Sequence, residues 1–327
     1  MTVQITIVGL GQIGASIGLA LADHRDLVHR VGHDKDLSLA RRAEKMGALD
    51  KVAINLPAAV RQADLILLAL PMDQIRHTLE VIALDLKEGA VVMDTAPVKE
   101  VVAGWVDELL PKERFYVGLT PVLNPLYLHS TESGIEAAHS DLFRNGLMGI
   151  VSPHGTPSEA IKLAADLTRL LGASPFFADP LEMDGLMAGM HIVPQLLAAA
   201  LLNATVDQPG WREARKIAGR AYAEATCPIT YPAGAETLHQ SALLNRENVL
   251  RKLDSVIAAL QAIRDDLYAE DGTALEERLK RARKGREEWW KQRQAANWVG
   301  EEIPATEMPR ASDTFGRLIG LRRKTKA

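Results

Sequence analysis

The sequence predicts an α/β protein in which a doubly wound parallel sheet is followed by an all-helical part. Up to residue 178, short apolar runs alternate with amphipathic stretches, the grammar of βαβ units. Several of those runs lack polar alternation, as parallel strands buried on both faces do. From about Leu181 the pattern changes to long Ala/Leu-rich helical segments with few strand signals.

The elements follow in order. QITIVGL reads as the first strand and GASIGLALADH as the helix after it. VHRVGHD and LARRAEKMG repeat the pair. LILLAL, AVVMDTA and FYVGLT continue the strands, and LMGIVSP, a helix over 157–171 and SPFFADP close the series. MDGLMAGMHIVPQLLAAALLNA opens the helical part and NRENVLRKLDSVIAALQAIRDDL ends it. The expected divisions are 1–178, 179–269 and 270–327. The last holds a charged helix, LEERLKRARKGREEWWKQRQ, and a Pro-containing polar tail.

Composition narrows the function. The chain has 327 residues, 47% hydrophobic and 24% charged, with a net charge of −4, which gives no bulk attraction for nucleic acid or an anionic membrane. A small-molecule partner is the expectation. No apolar run is read as reaching the roughly 18 residues of a membrane span. With no basic-then-apolar leader visible, a cytoplasmic protein is expected. Cys227 is the single cysteine, which excludes an internal disulfide and a cysteine-based zinc site. His129, His139 and His239 lack metal-like spacing, so no metal is expected. Trp289 and Trp290 interleave with basic residues, but neighbouring glutamates favour a solvated helix capping a dimer, or a docking arm, over nucleic acid. The tryptophans should then lie against something apolar.

Gly9, Gly11 and Gly14 in IVGLGQIGAS form G-x-G-x-x-G between a strand and a helix. The first permits a tight turn and the second lets backbone approach a pyrophosphate. The third lets helix and strand pack closely. Gln12 and Ile13 fill the same turn. Asp34 ends the second strand about 20 residues on, where a carboxylate meets the adenosine ribose. NAD is therefore expected over NADP, although Lys35, Arg41 and Arg42 lie close by. Leu70 and Pro71 in ALPMDQI and Asp94 in DTAPVKE end later strands and should complete the cofactor cleft, with Lys99 a candidate anion contact.

With this Rossmann signature, a D-x-x-x-V-K strand end and a G-x-x-P loop, the chain resembles the prephenate dehydrogenase family, including arogenate dehydrogenases, over about residues 3–268. GLGQIGAS, DTAPVKE, GLTP, ESGIEAAHSDLF and MDGLMAGMHIVPQLLAAAL carry the resemblance. It implies a helical dimerisation domain and oxidative decarboxylation of a cyclohexadienyl substrate with hydride passing to NAD(P). It also exposes substitutions. Thr120 stands where the family has the histidine of G-x-H-P, and Pro97 where it has the serine of D-x-x-S-V-K. Aligning its S-H-L-P-H on Pro194 leaves neither histidine in register, and Thr226–Cys227 replaces a Thr-Arg pair.

The cofactor motif is kept while the substrate motifs diverge, so the expectation is a homodimeric NAD-dependent oxidoreductase with a pocket altered from prephenate. Asp184, Met187, His191 and Gln195 recur at helical spacing and share a face. His191 is the candidate proton acceptor, with Thr120 polarising the substrate oxygen and Asn124, Asp184, Gln195 and Lys99 as candidate substrate contacts. A non-catalytic NAD-binding sensor or partner subunit is the alternative. A β-hydroxyacid-type dehydrogenase is a further one, though its K-x-x-x-N helix is not found.

Overall fold

The computed structural model describes residues 2–130, 132–231 and 234–296. Eight strands form one sheet in the order β3-β2-β1-β4-β5-β6-β7-β8. They are β1 (Val3–Val8), β2 (Val28–His33), β3 (Lys51–Val52), β4 (Leu65–Leu68), β5 (Val91–Asp94), β6 (Phe115–Val122), β7 (Leu147–Val151) and β8 (Ser174–Ala178). The order reverses between β1 and β4, so the strand ends there open a crevice. Every residue of β4 and β5 is buried, which is why LILL and VVMD show no polar alternation.

One feature departs from the expected all-parallel sheet: β6 and β7 pair antiparallel, with Thr120 opposite Gly149. A parallel return needs a crossover, usually an α-helix. Between β6 and β7 the described chain makes two 3-10 turns, Pro125–Tyr127 and Gly134–Ala137, and no α-helix. The chain re-enters the sheet from the same end. A helix at Ser158–Leu170 then crosses to place β8 parallel to β7.

The helices of the first part are α1 (Gln12–Ala20), α2 (Leu37–Lys45), α3 (Leu56–Val60), α4 (Met72–Ile82), α5 (Glu100–Leu109) and α6 (Ser158–Leu170). The second part holds α7 (Pro180–Met187), α8 (Val193–Asn203), α9 (Trp211–Ile217), α10 (Arg220–Thr226), α11 (Gly234–Leu244), α12 (Arg246–Tyr268) and α13 (Gly272–Ala295). Local chemistry sets several starts. Asp36 accepts from Ser38 and Leu39 to cap α2, and Asp179 accepts from Glu182 to cap α7, whose first residue is Pro180. Two apolar cores flank the sheet. One lies under α1, α2 and α6. The other lies under α4 and α5 and includes Ala188, Ile192, Val193, Leu238 and Val249 of the helical part. That shared core holds the helical part against the sheet.

The expectation that no stretch reaches spanning length is corrected by the helix running Pro180–Asn203. The helix has 24 residues, its most apolar 18-residue window averages a hydropathy of 1.6, and by length and composition alone it could cross a membrane. Ala, Leu and Met dominate it, with few charges between. Only 28% of its most apolar window is buried within the chain, and Leu186 and Met190 are among the exposed side chains.

Helix α13 folds back on α12, with Arg278 paired to Asp266 at 2.8 Å. Its far end reaches the sheet, where buried Arg293 donates to the Leu123 and Asn145 carbonyls. The tryptophans do not rest on an apolar surface alone. The Arg286 guanidinium lies 4.8 and 4.9 Å from the Trp289 and Trp290 ring centres, and Trp290 also meets His129. The closing LRRKTKA lies outside the described residues.

Candidate functional site

A cleft of about 910 Å³ opens where the strand order reverses. Its walls come from the glycine turn, the ends of β2, β4 and β5, and helices of both parts. The three glycines can be tested individually. Gly9 has φ +88°, a left-handed conformation, and a Cβ there would stand 2.4 Å from the Ala69 carbonyl oxygen. A Cβ on Gly14 would stand 1.9 Å from the Gly9 oxygen, so only glycine lets α1 start so close to the turn. A Cβ on Gly11 would meet nothing within 4 Å. Gly11 faces open cleft at the N-terminus of α1, where backbone N–H groups and the helix dipole suit a phosphate.

Asp34 lines the cleft, and its carboxylate accepts from the Leu10 N–H at 2.8 Å and the Asp36 N–H at 2.9 Å. These bonds fix it beside the glycine turn, with lone pairs left for a ribose hydroxyl. Gln12, Ile13, Leu70 and Pro71 line the same cleft. These residues fit a dinucleotide.

The wall opposite is the junction of α7 and α8. Residues Ala188–Ile192 form a π-helical turn. Pro194 supplies the physical reason, since it has no N–H for the Met190 carbonyl and its ring crowds that turn. In the same turn Gln195 Nε2 donates to the His191 carbonyl at 2.8 Å. His191 and Gln195 both line the cleft. Neither ring nitrogen of His191 has a hydrogen-bond partner among the described residues, and the surrounding protein holds its pKa below 6.5 by desolvation. The imidazole is neutral at neutral pH and free to accept a proton.

Other candidates stand elsewhere. Asn124 is buried and committed to its own loop, donating to the Asp141 carbonyl at 3.1 Å and accepting from the Leu126 N–H. It caps the 3-10 turn Pro125–Tyr127 and does not line the cleft. Thr120 is buried and does not line the cleft; its Oγ1 has no hydrogen-bond partner among the described residues. Its strand neighbour Gly149 packs against Met183 of α7. Asp94 and Lys99 are both fully buried, paired at 2.8 Å beneath the cleft wall. Burial pulls the Lys99 pKa down while Asp94 opposes that pull. Neither side chain lines the cleft, contrary to the expectation from the sequence that both do. Asp184 is likewise buried, accepting from the Lys99 N–H at 2.5 Å and the Glu100 N–H at 3.1 Å. It caps α5 from another helix and ties the two parts of the chain together. Its main chain is held too, the Asn245 amide donating to its carbonyl at 2.7 Å.

Desolvation raises the Asp184 pKa from 3.8 to about 6, outweighing the two amide donors. The sign follows from linkage. A folded pKa above the unfolded one gives stability that is full below pH ~4 and lost as pH rises to about 6. An Asp184→Asn variant, which cannot ionise, should therefore gain on the wild type by roughly 2–3 kcal/mol between pH 4 and pH 7. Urea denaturation at a series of pH values checks this, and a constant difference between the two proteins would refute it.

Reading the sequence missed Thr95, Thr237 and Ser241, all of which line the cleft. Thr95 was findable, because it follows a strand end at the switch point. Thr237 and Ser241 come from α11, and only the fold brings them to the cleft. Thr237 donates to Asp73 of α4 at 3.0 Å, bridging the two walls.

Comparison with known proteins agrees with this geometry. Residues 17–175 match the family model described as prephenate dehydrogenase, nucleotide-binding domain. The cyclohexadienyl dehydrogenase of Zymomonas mobilis is 28% identical over 287 residues, 86% of this chain and 94% of that protein. The prephenate dehydrogenase of Bacillus subtilis is 25% identical over 274 residues, 83% of this chain and 72% of the relative. Among solved structures, the prephenate dehydrogenase of A. aeolicus in complex with hydroxyphenyl propionate and NAD+ shares the fold with a TM-score of 0.78 at 20% identity, covering 88% of this chain and 99% of that one. Synechocystis arogenate dehydrogenase has a TM-score of 0.70 at 22% identity, with the same coverage.

Proposed function

We propose, from the premise that this chain belongs to the prephenate dehydrogenase family and is an NAD(P)-dependent dehydrogenase, that its cleft takes NAD and a hydroxy-bearing substrate gripped differently from prephenate. The observation that carries this reading is that one continuous cleft joins the glycine turn to His191 and Gln195. The nicotinamide of a bound NAD supplies the hydride acceptor. The chain's own residues do the rest. The glycine turn and Asp34 seat the dinucleotide, and the carboxylate of Asp34 opposes a ribose 2′-phosphate, favouring NAD over NADP. His191, neutral and unpartnered, accepts the hydroxyl proton as hydride leaves the carbon.

The altered grip rests on charge. Among the described cleft-lining residues the sole lysine or arginine is Lys35, beside Asp34 at the ribose end. None stands near His191 to fork a carboxylate. A substrate lacking a ring carboxylate, or one held by a group from outside this cleft wall, fits that lining. Uncovered apolar side chains on the helical part, Leu186, Met190, Leu243 and Leu260 among them, support a homodimer formed through it, and the same reading has the enzyme work in the cytoplasm.

The test is His191→Gln. Turnover should fall by ~10²–10⁴-fold with NAD affinity unchanged, the size expected for loss of a general base. The wild-type rate should rise with pH on an acid limb centred below 6.5 and level off by neutrality, and the variant should lack that limb. Equal rates for the two proteins would remove His191 from the chemistry.

A further inference from the structure

The mechanism above uses neither Thr95 nor the buried charges beneath it. Asp94 is a hub: Oδ1 accepts from the Ala96 N–H at 2.7 Å and from Lys99 Nζ at 2.8 Å, while Oδ2 accepts from the Tyr116 hydroxyl at 2.6 Å. All three side chains are buried. Two ends of the 94–99 segment are anchored as well. The Thr95 N–H donates to the Leu68 carbonyl at 3.1 Å, and the N–H groups of Lys99 and Glu100 are capped by Asp184. A segment so tied cannot drift, and what it presents to the cleft is Thr95 and Pro97.

Thr95 is half-buried, and its hydroxyl makes no hydrogen bond among the described residues while its neighbours are saturated. The sheet order sets which part of a dinucleotide it would meet. Asp34 at the end of β2 lies on one side of β1, and β4 then β5 lie on the other. With the adenosine ribose at Asp34 and the pyrophosphate at Gly11, the far end of the molecule reaches the end of β5. A threonine hydroxyl both donates and accepts, as the nicotinamide carboxamide does.

We infer that Thr95 hydrogen-bonds the nicotinamide end of the cofactor, and that Asp94, Lys99 and Tyr116 are positioning residues that hold it there. The inference rests on the nucleotide reading proposed above. It accounts for a buried ion pair and a buried phenol that do not line the cleft. Such a pair adds little stability over apolar packing, and fixing one geometry is its better-attested use.

The experiment compares NADH with ADP-ribose, which lacks the nicotinamide, as ligands for the full chain. For Thr95→Val, the NADH Kd should rise about three- to tenfold, one lost hydrogen bond, while that for ADP-ribose stays within about twofold. Thr95→Ser should restore NADH binding. Tyr116→Phe, which packs alike but frees one Asp94 oxygen, should weaken NADH by about two- to fivefold and spare ADP-ribose. Equal losses for both ligands, or none for either, would overturn the inference and leave the nucleotide site standing. Wild-type protein that binds neither would remove the nucleotide reading and the inference with it.

Discussion

Replacing Lys99 with methionine is expected to destabilise the protein by about 3–5 kcal/mol at neutral pH, the size found when one partner of a buried ion pair is removed. Lys99 and Asp94 are both fully buried, and Nζ lies 2.8 Å from the carboxylate. Methionine matches much of the lysine stem, so packing changes little. The loss comes from leaving the buried Asp94 carboxyl without its lysine partner, with only the Ala96 N–H and the Tyr116 hydroxyl as donors. Adding Asp94→Asn should recover more than half of the deficit, because the amide oxygen still accepts from the Ala96 N–H and the Tyr116 hydroxyl can turn to accept from the amide NH2. Urea midpoints of the two variants and the wild type decide the matter. A single variant within about 1 kcal/mol of wild type would mean that water reaches the pair.

A second large effect separates binding from folding within one turn. Gly11→Val should reduce NAD affinity by about 100-fold or more, some 2.7 kcal/mol or more, while thermal stability stays within about 0.5 kcal/mol. A Cβ at Gly11 meets nothing within 4 Å, and the backbone there, φ −72° and ψ −159°, suits an L residue. The added side chain obstructs only what comes to the turn from the cleft. Gly14→Ala should behave oppositely, with stability falling by about 1–3 kcal/mol, because its methyl would meet the Gly9 carbonyl at 1.9 Å. Differential scanning fluorimetry with and without NAD distinguishes the two. Undiminished NAD binding by Gly11→Val would place the pyrophosphate elsewhere.

How much of this was visible beforehand depended on how local the physics is. The glycine turn and the uninterrupted apolar strands are set by contacts within a few dozen residues and form as read, with Asp34 beside the turn. The antiparallel β7 was hidden because LMGIV looks the same in either direction; direction is decided by the connection before it. His191 and Gln195 share a face at helical spacing and do meet the cleft. Asp184, on the same helix, turns to cap α5, a choice made by a distant helix terminus. Lys99 reads as a solvated or anion-binding residue until burial by β5, β6 and α7 is known. Asn124 reads as a functional loop residue, and only the structure shows it capping the turn at Leu126 and reaching 17 residues on to the Asp141 carbonyl. Thr120 occupies the position to which the resemblance assigns chemistry, yet its hydroxyl is enclosed without a partner among the described residues.

The proposed altered grip follows from a cleft whose described lining holds no lysine or arginine other than Lys35. The measurement that tests it most directly is NADH formation at 340 nm by the purified protein given NAD with prephenate and, in parallel, arogenate, with NAD binding confirmed by thermal shift. The expected result is a clear stabilisation by NAD with little turnover of either compound. Robust NADH production from either one would contradict the altered grip and show that other residues hold the ring carboxylate.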